Sequence, residues 1–523
     1  MDTSNVTAAA RYAALEMDRR PYLRTAEICA KLTIPSLLPE EGHSPGTELP
    51  TPYQSVGARG VNNLASKLLL ALLPPNSPFF RLQITDKALE ELSQDESAKT
   101  KAEAALAQME KKITDEADMI GLRSPLFEAL RRLVTSGNVL IYIPQKKGAR
   151  VFPMNQYVIV RDPEGTVLQI IIKETVGVST LDADLQALHT ATTQDSVNGD
   201  AKADGNDNVA IYTVVELVKG KHVVHQEMHG MIIEGTQGSY AEDASPYIPL
   251  RWSRIDGENW GRGYIEEYLG DLTSLEGLSR ALLEGTTDAA RVVFAITAGG
   301  PRVADFMKAE NGSAIEGDGN LIKGITSGKT LDLQFVDAAI DKRERRLAQA
   351  FLMNTSVQRA GERVTAEEIR YVAGELEDAL GGIYSILAQE FQRPLVARLR
   401  ARMQKDGLLP KLPSGTIRVT ISTGLEALGR GHDMQRLKVF VGSISELGPE
   451  AFARINIDNL ITRLGTSIGI DMEGLVKTAE QIEAAQQAEQ AQMQQAQLMD
   501  GVKGAIPSVA GEMAKAAVSQ QPE

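Results

Sequence analysis

Apolar residues at helical spacing open the chain. Ala8, Tyr12 and Leu15 recur at three- and four-residue intervals, so residues 1–34 are predicted to form a helix. Pro35, Pro39 and the Gly/Pro-rich stretch to Pro52 break it into a loop. Val61–Leu73 is a strongly apolar helical run, stopped by Pro74 and Pro75. A charged amphipathic helix, or a pair of helices, is expected over Ala88–Ile120, and another over Pro125–Thr135. Gly137 and Asn138 then turn the chain into the β-branched run Val139–Ile143. Strand patterns continue at Tyr157–Val160, Val167–Lys173, Val209–Leu217 and His222–Glu234. Asp182–Asn208, rich in Asp, Thr, Gln, Asn and Gly, is expected to be a mobile surface loop. Residues 1–262 read together as one α+β domain.

The second half is mostly helical. Tyr264–Val293 is a predicted helix ended by Gly299, Gly300 and Pro301, and residues 301–336 alternate short apolar runs with Gly. Ala338–Met353 is a further helix, and residues 364–405 form a long one, roughly 60 Å if continuous, that Gly381, Gly382 and Pro394 would bend. A short strand is expected at Ile417–Ile421, and helix over most of 433–499. The tract EQIEAAQQAEQAQMQQAQ is helix-prone but polar all round, and the last ~20 residues are expected to be disordered. The fold class is therefore α+β, predominantly α-helical.

Composition narrows the function. A chain of 523 residues with 43% apolar and 24% charged residues is long enough for several domains with a full core. Lys and Arg total 55 against 69 acids, a net charge of −14, which argues against a generic basic nucleic-acid coat and permits only local rings of cations. The single Cys29 excludes an internal disulfide and, between Ile28 and Ala30, reads as a buried inert thiol. No signal peptide is expected at Met1–Arg20, and Leu68–Leu73, the longest apolar run, is far short of the ~20 residues that span a bilayer.

Candidate catalytic chemistry is weak. Gly324–Thr330 reads GITSGKT, with three residues between its glycines where a phosphate-binding loop needs four, and Leu331–Phe335 after it looks like strand. His222, His225 and His229 have a zinc-like spacing, but in a strand 222 and 225 point to opposite faces and nothing obvious completes the site. Glu266 with Glu267, and Glu375 with Glu377, read as solvated helix faces or as partners for arginines. No Ser-His-Asp or Cys-His arrangement is present, so no cofactor and no enzymatic activity are expected.

The most informative segment is Asp341–Gln389. Lys342, Arg343, Arg345 and Arg346 crowd one helix, Arg359 and Arg363 follow in a Ser/Gln/Gly loop, and Thr365 precedes Glu367 and Glu368 as an N-cap. On residues alone a solvated, salt-bridged face is a better account than an anion-facing one. SVQRAGERVTAEEIRYVAGELEDALGGIYSIL closely resembles the matching run in portal (head-to-tail connector) proteins of short-tailed, podovirus-type bacteriophages. The resemblance extends to Pro21–Pro39, Tyr53–Leu73, Leu126–Tyr142, Ile255–Leu278 and Ile421–Gly431, in the family's order. It is weakest at residues 180–210, across 293–335 and after about 475.

The resemblance implies a ring of subunits, twelve in the family, around a channel at a capsid vertex through which double-stranded DNA is packaged and ejected. Residues 1–262 and 365–430 would be the wing, 263–292 and 337–352 the stem helices, 293–336 the clip, 353–364 the tunnel loop and 431–523 the crown. It implies as partners a terminase large subunit, scaffolding and major capsid proteins, and tail adaptor and internal core proteins. It places the protein in the virion after assembly in the host cytoplasm, with no membrane role. Lys342 and Arg346, with Arg359 and Arg363, would face the channel. Arg343, which helical spacing points elsewhere, would pair with Asp271 or Glu276 of the other stem helix, in the same or a neighbouring subunit. Two other classes stay open: a non-channel scaffold or DNA clamp, and a packaging ATPase.

Overall fold

The computed structural model describes residues 6–40, 43, 46–75, 79–85, 96–196, 208–290, 293–325, 330–353, 374–376, 378–410, 417–421, 439–444, 457 and 460–461. The chain divides into a unit over Met1–Leu428 and a second over Gly429–Glu523. Of the second, a helical stretch at 439–444 is the longest described piece.

The first unit mixes helix and strand. Its central helix, Val56–Leu72, buries Val61, Leu64, Ala65, Leu68 and Leu72 at 0% exposure, one stripe at i, i+3, i+4 spacing. Helices Glu96–Met119 and Arg123–Ser136 share that core through Ile113, Leu126, Leu130 and Leu133. At the end of Arg123–Ser136, Gly137 takes φ +73°, and a Cβ there would lie 2.4 Å from the backbone carbon of Arg262, so only glycine fits this turn. Asn138 next to it exchanges two 2.8 Å hydrogen bonds with the backbone of Gly261, which pins the approach to the helices that follow.

Thirteen strands are described. β1 (Phe80–Ile84), absent from the sequence expectations, pairs antiparallel with β13 (Ile417–Ile421), joining positions more than three hundred residues apart. β2 (Asn138–Tyr142) lies between β3 (Arg150–Phe152) and β10 (Tyr247–Arg251). A six-stranded antiparallel sheet runs β4 (Tyr157–Arg161), β5 (Val167–Gly177), β6 (Asn208–Val218), β7 (Lys221–Met228) and β8 (Met231–Ile232), with β9 (Gly238–Ala241) also on β7. One face buries Tyr157, Ile159, Ile170, Ile172 and Val215 with Trp260; the other packs Val158, Ile171 and Val214 beneath Ala8 and Tyr12 of the first helix, Ala8–Lys31. β11 (Val293–Ile296) and β12 (Ile322–Ile325) form a separate hairpin.

Four expectations are corrected. The segment read as a loop over 182–208 contains a helix, Ala183–Ser196, because Leu185 and Leu188 form an i, i+3 apolar pair on Val209, Met228 and Ile233. The helix after Tyr264 ends at Ala289, ten residues before Gly299, and gives way to β11. Leu331–Phe335 is helical, not strand, since the next helix starts at Thr330 and runs to Ala350. The long helix expected over 364–405 is interrupted at Gly381, which has φ +45°, and by a π-helical turn at Ala388–Gln392 before Arg393–Lys405. The expected crown helix and terminal disorder, and residues 364–373, lie outside the described residues or nearly so.

Candidate functional site

The cation-bearing helix Thr330–Ala350 packs along Leu269–Ala289. Leu272 and Leu275 on one helix and Ile340 and Leu347 on the other are buried, and Leu278, Leu282 and Val336 extend the seam. Gly285 lets the helices close up: a Cβ there would sit 2.8 Å from Leu333 Cδ2. Off the seam, Leu283 is 54% exposed and Phe335 75%.

The other end of the pair is locked into the core. Tyr264 donates a 2.8 Å hydrogen bond to the Ala350 carbonyl, and its ring, with Tyr268, packs on Phe351. Phe351 in turn fills the space over Gly60, where a Cβ would lie 2.4 Å from the ring. Past Phe351 the backbone turns at Leu352, φ +54°. Asn63 Nδ2 donates to the carbonyls of Phe351 (2.8 Å) and Leu352 (3.0 Å), and Lys67 Nζ donates to Leu352 O at 2.8 Å. These are helix-end carbonyls without intrahelical donors, so side chains from another helix supply them. Lys67 also pairs with Glu375 Oε2 at 2.7 Å.

The four clustered cations take different environments. Lys342 is exposed. Arg345 is exposed and lies 3.9 Å from Asp341 on its own helix. Arg346 is the residue that pairs with Asp271, at 3.2 Å. Arg343 is half-buried, folds back to donate to Ala339 O at 3.4 Å, and has a buried Nε with no partner among the described residues. Within one chain the partnership expected for Arg343 therefore goes to Arg346. Positions 340, 343 and 347 share the seam itself, whereas 346 flanks it, where the carboxylate of the neighbouring helix can reach. Glu276 is engaged elsewhere: it accepts backbone N–H bonds from Tyr53 (2.9 Å) and Gln54 (3.3 Å). Arg359 and Arg363 lie outside the described residues.

Lys67 was missed by sequence reading, although one signal was there: a single Lys inside the apolar run LASKLLLALL. A cation at such a position must find buried partners.

Among the described residues no group of three or more His, Cys, Asp or Glu could hold a metal. His222 and His225 lie in β7, His225 within 3.1 Å of Glu227, while His229 in the following turn shares a 2.8 Å hydrogen bond with His189. Burial pushes the Cys29 thiol up to about 12, so it is not a nucleophile. A helix does follow GITSGKT, which removes the contextual objection to a phosphate loop; the one-residue deficit between its glycines stands. No helix of the described residues is long and apolar enough to cross a membrane.

The sequence profile of a family described as bacteriophage head to tail connecting protein matches residues 5–476. The portal protein of Escherichia phage T7 is 39% identical over 517 residues, covering 98% of this chain and 94% of the relative. The portal protein of Pseudomonas phage phiKMV is 30% identical, covering 92% and 95%. A solved neck of an empty gene transfer agent particle overlays at TM-score 0.35 and 14% identity, covering 74% of this chain and 86% of that one, too low to carry an argument. Similarity along nearly the whole sequence leads to one conclusion: the chain belongs to the bacteriophage head-to-tail connecting (portal) proteins, which are structural and not enzymes.

Proposed function

We propose that copies of this chain close into a ring, twelve subunits in number, whose channel passes double-stranded DNA during packaging and ejection at a capsid vertex. The observation that supports it is the exposed face of the helix pair. Leu283 and Phe335 stand in water on a single chain, a surface that neighbours in a heterologous ring would cover. Lys342 and Arg346 on the same helix then face the channel, with Arg359 and Arg363 at its constriction. The buried Nε of Arg343, without a partner among the described residues, finds its mate on the neighbouring subunit.

Charge supports a conduit over a clamp. Dense phosphate pairing would hold DNA with strong, salt-dependent affinity, whereas a chain of net charge −14 with sparse cations lets it slide. The helix pair 263–292 and 337–352 serves as the stem, the hairpin region 293–336 as the clip that meets a terminase and later tail proteins, residues 353–364 as the tunnel loop, 1–262 and 365–430 as the wing, and 431–523 as the crown toward capsid and core proteins. Assembly takes place in the host cytoplasm before incorporation in the virion.

Twelve copies of a 56.6 kDa chain give about 679 kDa, the mass light scattering should return under assembly conditions. A mass of one or two subunits overturns the ring. Replacing both Arg359 and Arg363 by Ala should leave that mass unchanged and impair DNA retention; normal packaging and retention would remove the constriction.

A further inference from the structure

We propose that Lys67 is a positioning residue for the segment between residues 353 and 374, a clamp that ties Leu352, just past the end of one helix, to Glu375. The residue is 6% exposed, on the buried stripe of Val56–Leu72 beside Leu64 and Leu68. An ammonium so placed is costly unless it is both paired and hydrogen-bonded. Lys67 meets both needs with groups from the two flanks of one segment: the Leu352 carbonyl at 2.8 Å before it and the Glu375 carboxylate at 2.7 Å after it. Asn63, one turn earlier, reinforces the first flank through the carbonyls of Phe351 and Leu352.

The residue type suits the task. A lysine carries a compact charge with three rotatable donors, so it can serve a carbonyl and a carboxylate lying in different directions. A leucine would satisfy the apolar stripe equally well and would tie neither flank. Phe351, seated against Gly60, fixes the first flank to the same helix that carries Lys67, so helix Val56–Leu72 is the rigid base from which the segment leaves and to which it returns. That this segment faces DNA rests on the ring reading above; the clamp itself does not.

The test uses assembled full-length protein with Lys67→Met, Glu375→Gln and the conservative Lys67→Arg. Trypsin can cut after Arg359 and Arg363 inside the segment, and mass spectrometry reads the rate at each site. Cleavage there should accelerate by about tenfold in Lys67→Met, the scale of one lost charge-assisted hydrogen bond, and less in Glu375→Gln. Lys67→Arg should stay near the parent rate, and sites outside the segment should not change. Unchanged cleavage in both Lys67→Met and Glu375→Gln overturns the clamp. So does acceleration spread evenly over the whole chain, which marks a merely structural role. If Lys67→Met fails to assemble, Glu375→Gln alone decides. Faster cleavage together with normal DNA retention keeps the clamp and overturns the DNA-facing reading of the segment.

Discussion

Arg346 meets Asp271 at 3.2 Å across the two packed helices, while Arg343, three residues earlier, lies in the seam with its Nε unpaired among the described residues. The two arginines should therefore respond differently to mutation. The Arg346 side chain is 62% exposed, so Arg346→Ala should cost no more than about 1 kcal/mol in chemical denaturation. Arg343→Glu puts an acid into a half-buried seam and should lower the midpoint well beyond that, with loss of the ring. Lys342→Ala should leave both stability and ring mass intact and affect DNA passage only. Equal effects of the two arginine substitutions on unfolding would show that neither seam nor flank matters.

Gly60→Ala should be among the most damaging single-methyl changes. The added Cβ would sit 2.4 Å from the Phe351 ring, which packs against both Tyr264 and Tyr268 and cannot swing away freely. A destabilisation of about 1–3 kcal/mol is expected from overpacking, measured by denaturant unfolding. Pairing it with Phe351→Leu should recover part of the loss.

Burial, and then the neighbouring His189, hold His229 below the ordinary imidazole value of 6.5, and burial does the same for His222. Both groups stay neutral in the folded chain at a pH where the unfolded chain takes up protons. Their contribution is complete above about pH 6.5 and is lost as pH falls below it. The unfolding midpoint should thus drop between pH 7.5 and 5.5. His229→Asn, which tolerates the φ of +52° at this position, should make that drop smaller. An unchanged pH profile in the variant would remove His229 from the account.

Cys29 is 1% exposed with a thiol raised to about 12. A disulfide reagent at pH 8 should find almost no reactive thiol in the native protein and one per chain after denaturation. Rapid native labelling would mean that helix Ala8–Lys31 opens readily from the core.

Local pattern alone determined the elements whose partners are near in sequence. The stripe of Val56–Leu72, the turn at Gly137 and the antiparallel run from β4 to β8 are all encoded by periodicity and turn residues within a few positions of each other. The long family-like runs likewise made the connector reading available before any fold was known. Tertiary structure decided what depends on distant partners. Ala183–Ser196 looked like a polar loop because only Leu185 and Leu188 of its turns meet the sheet, and that sheet surface comes from β6 onward. Leu331–Phe335 alternates like a strand, yet Leu333 packs over Gly285 of another helix. Whether Arg343 or Arg346 reaches Asp271 turns on the rotation of one helix against another, which spacing within a single helix does not encode. Lys67 belongs to the same class: its meaning comes from Leu352 and Glu375, hundreds of residues away, because an ion buried among leucines is defined by whichever groups the fold brings to it.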